Sequence, residues 1–180
     1  MNIAVFCGSA SEIDPRILVA GRVLGQALAS RRVGLIYGGS SIGLMGAVAD
    51  ACVEAGGEVI GVIPQVLVDA EIAHRNLTRL EVVRDLHRRK ARMAELANGF
   101  AVLPGGLGTL DEAFDIITWR TLGLHEKPIA FLDTLDFWKP LKALLDHLSE
   151  TRFVKPHNAR MIQFCPTPEA MLDALGAPKS

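Results

Sequence analysis

The chain has 180 residues, 49% of them hydrophobic, which is enough to bury a sizeable core, and one domain covering residues 1–180 is expected. A formal net charge of −1 gives no support to a nucleic-acid-binding protein that works by neutralising phosphates. No apolar run is long enough to span a bilayer, and the first residues lack the basic stretch of a signal peptide. Three widely spaced cysteines without a C-x-x-C pair are typical of buried thiols in a reducing compartment, so we predict a cytoplasmic protein with no membrane partner.

Short apolar runs alternate with longer helical patterns along the chain. Strands are predicted at Asn2–Cys7, Gly34–Tyr37, Glu58–Ile63, Arg79–Val83, Gly99–Leu103, Pro128–Leu132 and Met161–Phe164. Helices are predicted over Pro15–Ser30, Ile42–Ala55, Leu86–Ala97, Leu110–Leu122, Phe137–Glu150 and Pro168–Leu175. Near-continuous apolar strands separated by helices indicate an α/β fold, a parallel sheet of about seven strands with helices on both faces. The one long stretch without a regular pattern is Pro64–Thr78, which carries Glu71.

Glycine-containing loops follow the first, second and fifth predicted strands. In open α/β sheets, ligands bind beyond the carboxyl ends of the strands, so these three loops are expected to share one rim. Ser9 in the first loop and Gly39 in the second are therefore candidate ligand-binding residues.

The loop after the fifth strand, PGGLGT, has the composition of an anion site. Glycines let the backbone approach a ligand closely, and the N–H groups that open the next helix point at it. A tight turn with Thr109 as the helix N-cap explains the same letters equally well. The G-x-G-x-x-G frame of dinucleotide enzymes ends here in Asp111, and the frame from Gly38 has Leu44 where a P-loop needs lysine. The candidate anion-binding residues are Gly105, Gly106, Leu107, Gly108 and Thr109.

Glu112 has both a structural and a catalytic interpretation. Thr109-x-x-Glu112 matches a capping box, in which the acid bonds back to the backbone of the N-cap residue. An acid at a helix N-terminus is also stabilised as the anion, and an ionised carboxylate is useful if positive charge develops nearby during a reaction. This motif alone does not separate the two interpretations.

The helix DLHRRKARMAELA places a basic residue on its apolar side. Steps of three and four residues from Leu86 reach Arg89 and then Met93, so Arg89 is expected to point inward, where a guanidinium needs a polar or anionic partner. Lys90 flanks the same stripe, whereas Arg88 and Arg92 are expected on the solvated face.

A competing motif is Gly39-Ser40-Ser41-Ile42-Gly43, which matches the G-x-S-x-G elbow of serine hydrolases. Asp133 or Asp136, followed by His147 or His157, would supply the order of a catalytic triad. The chain is short for that fold, so a serine esterase using Ser41 ranks second.

The five histidines lack H-x-x-x-H or H-E-x-x-H spacing, and no metal site is predicted.

At this point the motifs GGSSIGLMG, EIAHRNLT, DLHRRKARMAE, LPGGLGTLDE and ITWRTLGLHEKP resemble, in this order, those of the Lonely guy (LOG) family of cytokinin-activating phosphoribohydrolases. The resemblance covers nearly the whole chain. One departure is Thr121, where relatives often have glutamine. The alternative family description, possible lysine decarboxylase, conflicts with chemistry, because amino-acid decarboxylation needs an electron sink such as pyridoxal phosphate.

The resemblance implies a Rossmann-like doubly wound fold, usually dimeric, that hydrolyses the N-glycosidic bond of a nucleoside 5′-monophosphate such as AMP or N6-prenyl-AMP. By motif position, Arg89 and Glu112 match the catalytic pair, and Glu71, Lys90 and the Gly105–Thr109 loop match substrate-binding positions. No cofactor is implied. The helix after the loop, apolar nearly all round, is expected to contribute to a homodimer. A non-catalytic nucleotide-binding protein is a further alternative.

Overall fold

The computed structural model describes residues 1–69 and 73–179, which form a seven-stranded parallel sheet with the order β4-β3-β2-β1-β5-β6-β7. The strands are β1 (Asn2–Phe6), β2 (Gly34–Tyr37), β3 (Val59–Pro64), β4 (Arg79–Val83), β5 (Gly99–Val102), β6 (Ile129–Leu132) and β7 (Ile162–Cys165). All seven predicted strands are confirmed, with ends that shift by at most one residue.

Eight α-helices connect or flank these strands within the described residues: α1 (Pro15–Ser30), α2 (Gly43–Glu54), α3 (Gln65–Asp69), α4 (Leu86–Leu96), α5 (Leu107–Thr121), α6 (Lys139–Glu150), α7 (Pro156–Ala159) and α8 (Pro168–Ala174). The six predicted helices are present. The short helices α3 and α7 and a 3₁₀ turn at Thr134–Asp136 were not predicted. None of the described helices combines the length and hydropathy needed to cross a bilayer.

The sheet is buried on both faces, which explains why its central strands are almost continuously apolar. On one face, Val5 and Leu35 pack with α1, α2 and α8. On the other face, Phe6 and Phe100 stack with ring centroids 6.0 Å apart, and Met93 of α4 belongs to the same cluster. The predicted doubly wound architecture, with helices on both faces, is therefore confirmed.

The strand order reverses direction between β1 and β5, the two strands at the centre of the sheet. Chain segments leaving their carboxyl ends diverge to opposite faces and leave a crevice, which is where open α/β proteins bind ligands. The Gly8 N–H donates to the Pro104 carbonyl at 3.1 Å, so the loops after β1 and β5 meet beside this crevice. The fold thus places the predicted glycine loops at one edge of the sheet.

Candidate active site

A cavity of about 390 Å³ opens at this edge, a volume that suits a small-molecule ligand. Its walls come from the loops after β1 and β2, from the end of β3, from α4 and from the start of α5. Its charged side chains are Arg89 and Glu112, which are only 8% and 6% exposed. Ser40 and Thr109, also buried, add hydroxyl groups to the lining.

Arg89 projects from α4 into the cavity, as the apolar stripe predicted. Its Nε–H donates to the Val62 carbonyl of β3 at 3.1 Å, and its Nη1 lies 3.3 Å from Oε1 of Glu112. The prediction that an inward-facing guanidinium requires polar partners is therefore confirmed. Arg88 and Arg92 instead pair with Glu95 on the outer side of the helix.

Glu112 faces Arg89 from the second turn of α5, and its environment has two opposing effects on its charge. Burial raises the pKa of the Glu112 carboxyl above its ordinary value of 4.5, and the nearby Asp111 carboxylate acts in the same direction. Arg89, and to a smaller extent Lys90, lower that pKa. The carboxylate is thus held in a site that makes it a stronger base than an exposed glutamate.

The capping box predicted for Thr109 and Glu112 is wrong. Helix α5 begins at Leu107, three residues earlier than predicted, with Gly106 as a cap that has no side chain to bond the first turn. Thr109 is therefore the third residue of the helix and Glu112 the sixth. The expected stabilisation of the Glu112 anion by the helix N-terminus fails with it, because the dipole effect is confined to the first turn.

The early start of α5 makes its first turn part of the cavity. Gly106, Gly108 and Thr109 line it, and the N–H groups of a helical first turn have no carbonyl partner within the helix. Gly105 lies behind them: a Cβ at this position would lie 2.1 Å from Oγ1 of Thr109. The loop backbone can therefore approach the buried threonine only because residue 105 is glycine.

Lys90 turns away from the cavity toward the outer side of α5. Its Nζ lies 2.9 Å from Asp111 and 2.5 Å from Asp115. Burial alone would lower the pKa of Lys90, but the hydrogen bonds to Asp115 and Asp111 together raise it above its ordinary value. The Lys90 ammonium therefore links α4 to α5 next to the Arg89–Glu112 pair, and it is absent from the cavity lining formed by the described residues.

The remaining predicted site residues occupy different positions. Ser9 lines the cavity. Gly39 lies beside the lining residues Gly38 and Ser40, has a φ of 76°, and accepts the His74 N–H at 2.9 Å. Leu107 is 87% exposed, with its side chain outside the cavity. Glu71 lies outside the described residues.

Part of the lining was not predicted from the sequence. Cys7 lines the cavity, and Ile42, Met45, Ile63 and Leu67 supply its apolar wall. Met45, Ile63 and Leu67 belong to helices and strands, and Cys7 and Ile42 directly flank them, so their apolar character is equally well explained as core. The one sequence signal for lining residues was position: Cys7, Gly38 and Ile63 lie at or next to the carboxyl ends of strands.

The structure does not support a nucleophile elbow at Ser41. Ser41 is exposed and is not among the described non-glycine residues with positive φ, whereas the elbow requires a strained turn. The cavity wall contains Ser40 instead, and neither His147 nor His157 contributes to it. No histidine is among the described residues that line the cavity.

The strand order and the helices on both faces of the sheet define the class of this protein, a Rossmann-like α/β protein, with the cavity at the carboxyl edge of the sheet. Residues 45–175 match the family described as "Possible lysine decarboxylase". The chain is 38% identical over 178 residues to the cytokinin riboside 5′-monophosphate phosphoribohydrolase of Rhodococcoides fascians, covering 98% of this chain and 90% of that protein. It is 40% identical over 174 residues to an enzyme of the same name from Arabidopsis thaliana, covering 97% and 80%. The chain belongs to this family, the Lonely guy family that the motifs indicated.

Among solved structures, the molybdenum cofactor carrier protein of Chlamydomonas reinhardtii has the same fold. It superposes with a TM-score of 0.73 over 97% of this chain and 94% of that chain, at 21% identity. A likeness at this identity concerns the fold alone.

Proposed function

We propose that this protein hydrolyses the N-glycosidic bond of a nucleoside 5′-monophosphate carrying adenine or an N6-modified adenine, releasing the free base and ribose 5-phosphate. The observation that carries the proposal is the buried Arg89–Glu112 pair beside the first turn of α5 in one cavity. The names of relatives 38–40% identical over nearly the whole chain support the same reaction.

The first turn of α5 is the proposed phosphate site. Its N–H groups and the positive end of the helix dipole favour an anion, and Gly106 and Gly108 let the phosphate approach the backbone. Glu112 follows Thr109 by three residues, about 4.5 Å further along the helix axis. A ribose whose 5′-phosphate occupies the first turn would therefore extend toward the Glu112 carboxylate.

Glu112 is proposed to stabilise the transition state. As the bond between C1′ and the base nitrogen breaks, positive charge develops on the sugar, and a fixed carboxylate stabilises it more than it stabilises the neutral sugar. Water then supplies the hydroxyl that bonds to C1′, and its proton balances the departing base. The raised pKa of Glu112 suits it to take that proton from the water and to pass it on to the nitrogen of the departing base.

Arg89 is proposed to hold Glu112 in its ionised form and to contact the phosphate. It is the one cationic side chain among the described lining residues, and its Nε is fixed by the Val62 carbonyl. The apolar wall of Ile42, Met45, Ile63 and Leu67 is the proposed surface for the uncharged base. Hydrolysis by this scheme uses water and needs no cofactor.

Lysine decarboxylation is a poorer explanation of the same site. A lysine that forms a Schiff base must be free to lose its proton. The Nζ of Lys90 instead bonds two carboxylates, and its pKa is raised.

The three buried thiols, Cys7, Cys52 and Cys165, are all free, and we infer that the protein works in the reducing cytoplasm.

The phosphate should be obligatory for turnover. We expect adenosine to be cleaved at least about 10²-fold more slowly than AMP, because it lacks the group that the first turn of α5 would hold. Chromatography of free adenine released from AMP, isopentenyladenosine monophosphate, adenosine, CMP and GMP measures this. Equal turnover of AMP and adenosine would remove the phosphate role from the loop. AMP binding without adenine release would favour the nucleotide-binding alternative.

We also propose a C₂ homodimer formed partly by the C-terminal half of α5. Phe114, Leu122 and Leu124 are 39%, 68% and 70% exposed at or near this half of the helix. Light scattering at micromolar concentration should give twice the monomer mass, and Leu124→Glu should shift it toward the monomer. Phe153→Glu, at a side chain that is 86% exposed elsewhere on the surface, should leave the mass unchanged. A monomer mass for the unmodified protein would contradict the dimer.

A further inference from the structure

Gly38, directly after β2, is in close contact with the guanidinium of Arg89. A Cβ built on Gly38 would lie 1.8 Å from Nη2 and 2.9 Å from Cζ of Arg89. The next nearest atom in the described part of the chain would be the Sδ of Met45, at 3.3 Å. The guanidinium therefore occupies the space that any side chain at position 38 would need.

The guanidinium is bounded on three sides by three different parts of the fold. The Val62 carbonyl of β3 accepts from Nε, Glu112 of α5 lies against Nη1, and the backbone of Gly38 lies against Nη2. The two polar contacts fix its distance from β3 and α5. The contact with Gly38 limits how closely the guanidinium can approach β2.

We propose that Gly38 is a positioning residue, whose missing side chain sets the place of the Arg89 guanidinium and, through it, of the Glu112 carboxylate. This inference rests on the proposed function, because the consequence it assigns is the rate of glycosidic cleavage. Gly38 contributes no chemical group of its own and acts through Arg89.

The backbone at Gly38 does not by itself require glycine. Gly38 is not among the glycines with positive φ, unlike its neighbour Gly39, so an alanine at 38 meets no conformational penalty of that kind. Among the described residues, the only atoms closer than 3.0 Å to a Cβ at position 38 belong to the flexible end of Arg89. We therefore expect Gly38→Ala to fold and to push the guanidinium out of place.

Gly34→Ala is a matched control on the same strand. A Cβ at Gly34 would also meet the tip of a polar side chain, Oδ1 of Asn2 at 2.4 Å. Gly34 lies at the opposite end of β2, away from the cavity. Both variants replace a glycine by alanine, and both displace the polar end of a side chain. In Gly38→Ala that side chain is Arg89, and in Gly34→Ala it is Asn2.

The test is a double-mutant cycle of Gly38→Ala and Arg89→Ala, with kcat and KM for AMP, AMP affinity and the thermal midpoint measured on each protein. Gly38→Ala alone should lower kcat/KM by about 10²-fold, the scale of misplacing a catalytic group by about an ångström. It should also lower the thermal midpoint by about 3 °C or more through overpacking. In the Arg89→Ala background, AMP affinity should change by less than about twofold and the midpoint by about 1 °C or less, because the obstructing atoms are gone.

Two outcomes would overturn the proposal. In the first, Gly38→Ala has the same kcat/KM as Gly34→Ala and as the unmodified protein, which would mean that position 38 tolerates a side chain. Equal losses of AMP affinity in both backgrounds would mean that Gly38 makes room for the ligand and does not act through Arg89. If the unmodified protein released no adenine at all, the proposed function would fail, and the midpoint cycle would still decide separately whether Gly38 and Arg89 are coupled.

Discussion

Replacing Glu112 by glutamine is expected to lower adenine release from AMP by roughly 10²-fold or more, the scale of losing one preorganised electrostatic group. The fold and AMP binding should be kept. The glutamine amide oxygen can still lie beside the Arg89 guanidinium, and burial no longer opposes a negative charge at that position. Turnover, AMP affinity and the thermal midpoint, measured on the same preparation, separate loss of catalysis from loss of structure.

Glu81→Gln is the matched control for this variant. Glu81 forms an acid–arginine pair with Arg92 of α4, at 2.7 Å, outside the cavity. It should leave adenine release within about twofold of the unmodified protein, as expected for a partly exposed pair. A folded Glu112→Gln protein with near-normal adenine release would reduce Glu112 to a structural partner of Arg89.

The pH dependence of turnover provides a second readout of Glu112. If the ionised carboxylate is the active form, kcat should fall as the pH decreases through its pKa, with a midpoint above 4.5 because burial raises that pKa. Arg89 opposes the rise, so the acid limb of the kcat profile should move to higher pH in Arg89→Ala.

The contribution of Glu112 to folding stability changes with pH in the opposite direction. A folded-state pKa above the unfolded value means that Glu112 favours folding less as the pH rises through this range.

Removal of the Arg89 side chain should have the second large effect. Arg89→Ala is expected to lower kcat/KM for AMP by more than 10²-fold, with weaker AMP binding as well as slower turnover if the guanidinium contacts the phosphate. It also leaves the buried Glu112 without its cationic partner, which costs stability unless the carboxyl is protonated. Kinetics at two pH values, together with the thermal midpoint, distinguish these contributions.

Arg92→Ala provides the comparison on the same helix. Arg92 also pairs with a glutamate, yet it lies on the solvated side of α4. Its removal should leave KM and kcat unchanged within about twofold. If Arg89→Ala bound AMP as tightly as the unmodified protein, Arg89 would act only on Glu112 and would not contact the phosphate.

The regular elements of this fold were predictable because their signals are local. Continuous apolar runs such as residues 2–7 and 99–103 predict buried parallel strands, and the stripe through Arg89 and Met93 predicts the inner face of α4. The start of α5 was not predictable in the same way. Gly106 and Gly108 have low helix propensity and indicate a loop, yet the chain turns helical at Leu107.

The site itself was predictable only in part. Arg89 was identified because an inward-facing charge demands a partner, whereas Glu112 was identified by its place after the glycine loop and by the family motif. The substrate-binding role of Lys90 remains a prediction, and the pattern, which places Lys90 at the edge of the stripe, gave no sign of its contacts with Asp111 and Asp115. The apolar wall of the cavity gave no signal, because an isoleucine that faces a ligand has the same sequence pattern as one that faces the core.

Two neighbouring residues of α4 are paired with α5 in crossed order. Arg89 meets Glu112, 23 positions later (112 − 89), and Lys90 meets Asp111, 21 positions later (111 − 90). One residue inserted within α4 after Lys90, or within α5 before Asp111, would rotate one helix by about 100° relative to the other and separate both pairs at once. The two pairs therefore confine insertions and deletions between Lys90 and Asp111 to the loops on either side of β5.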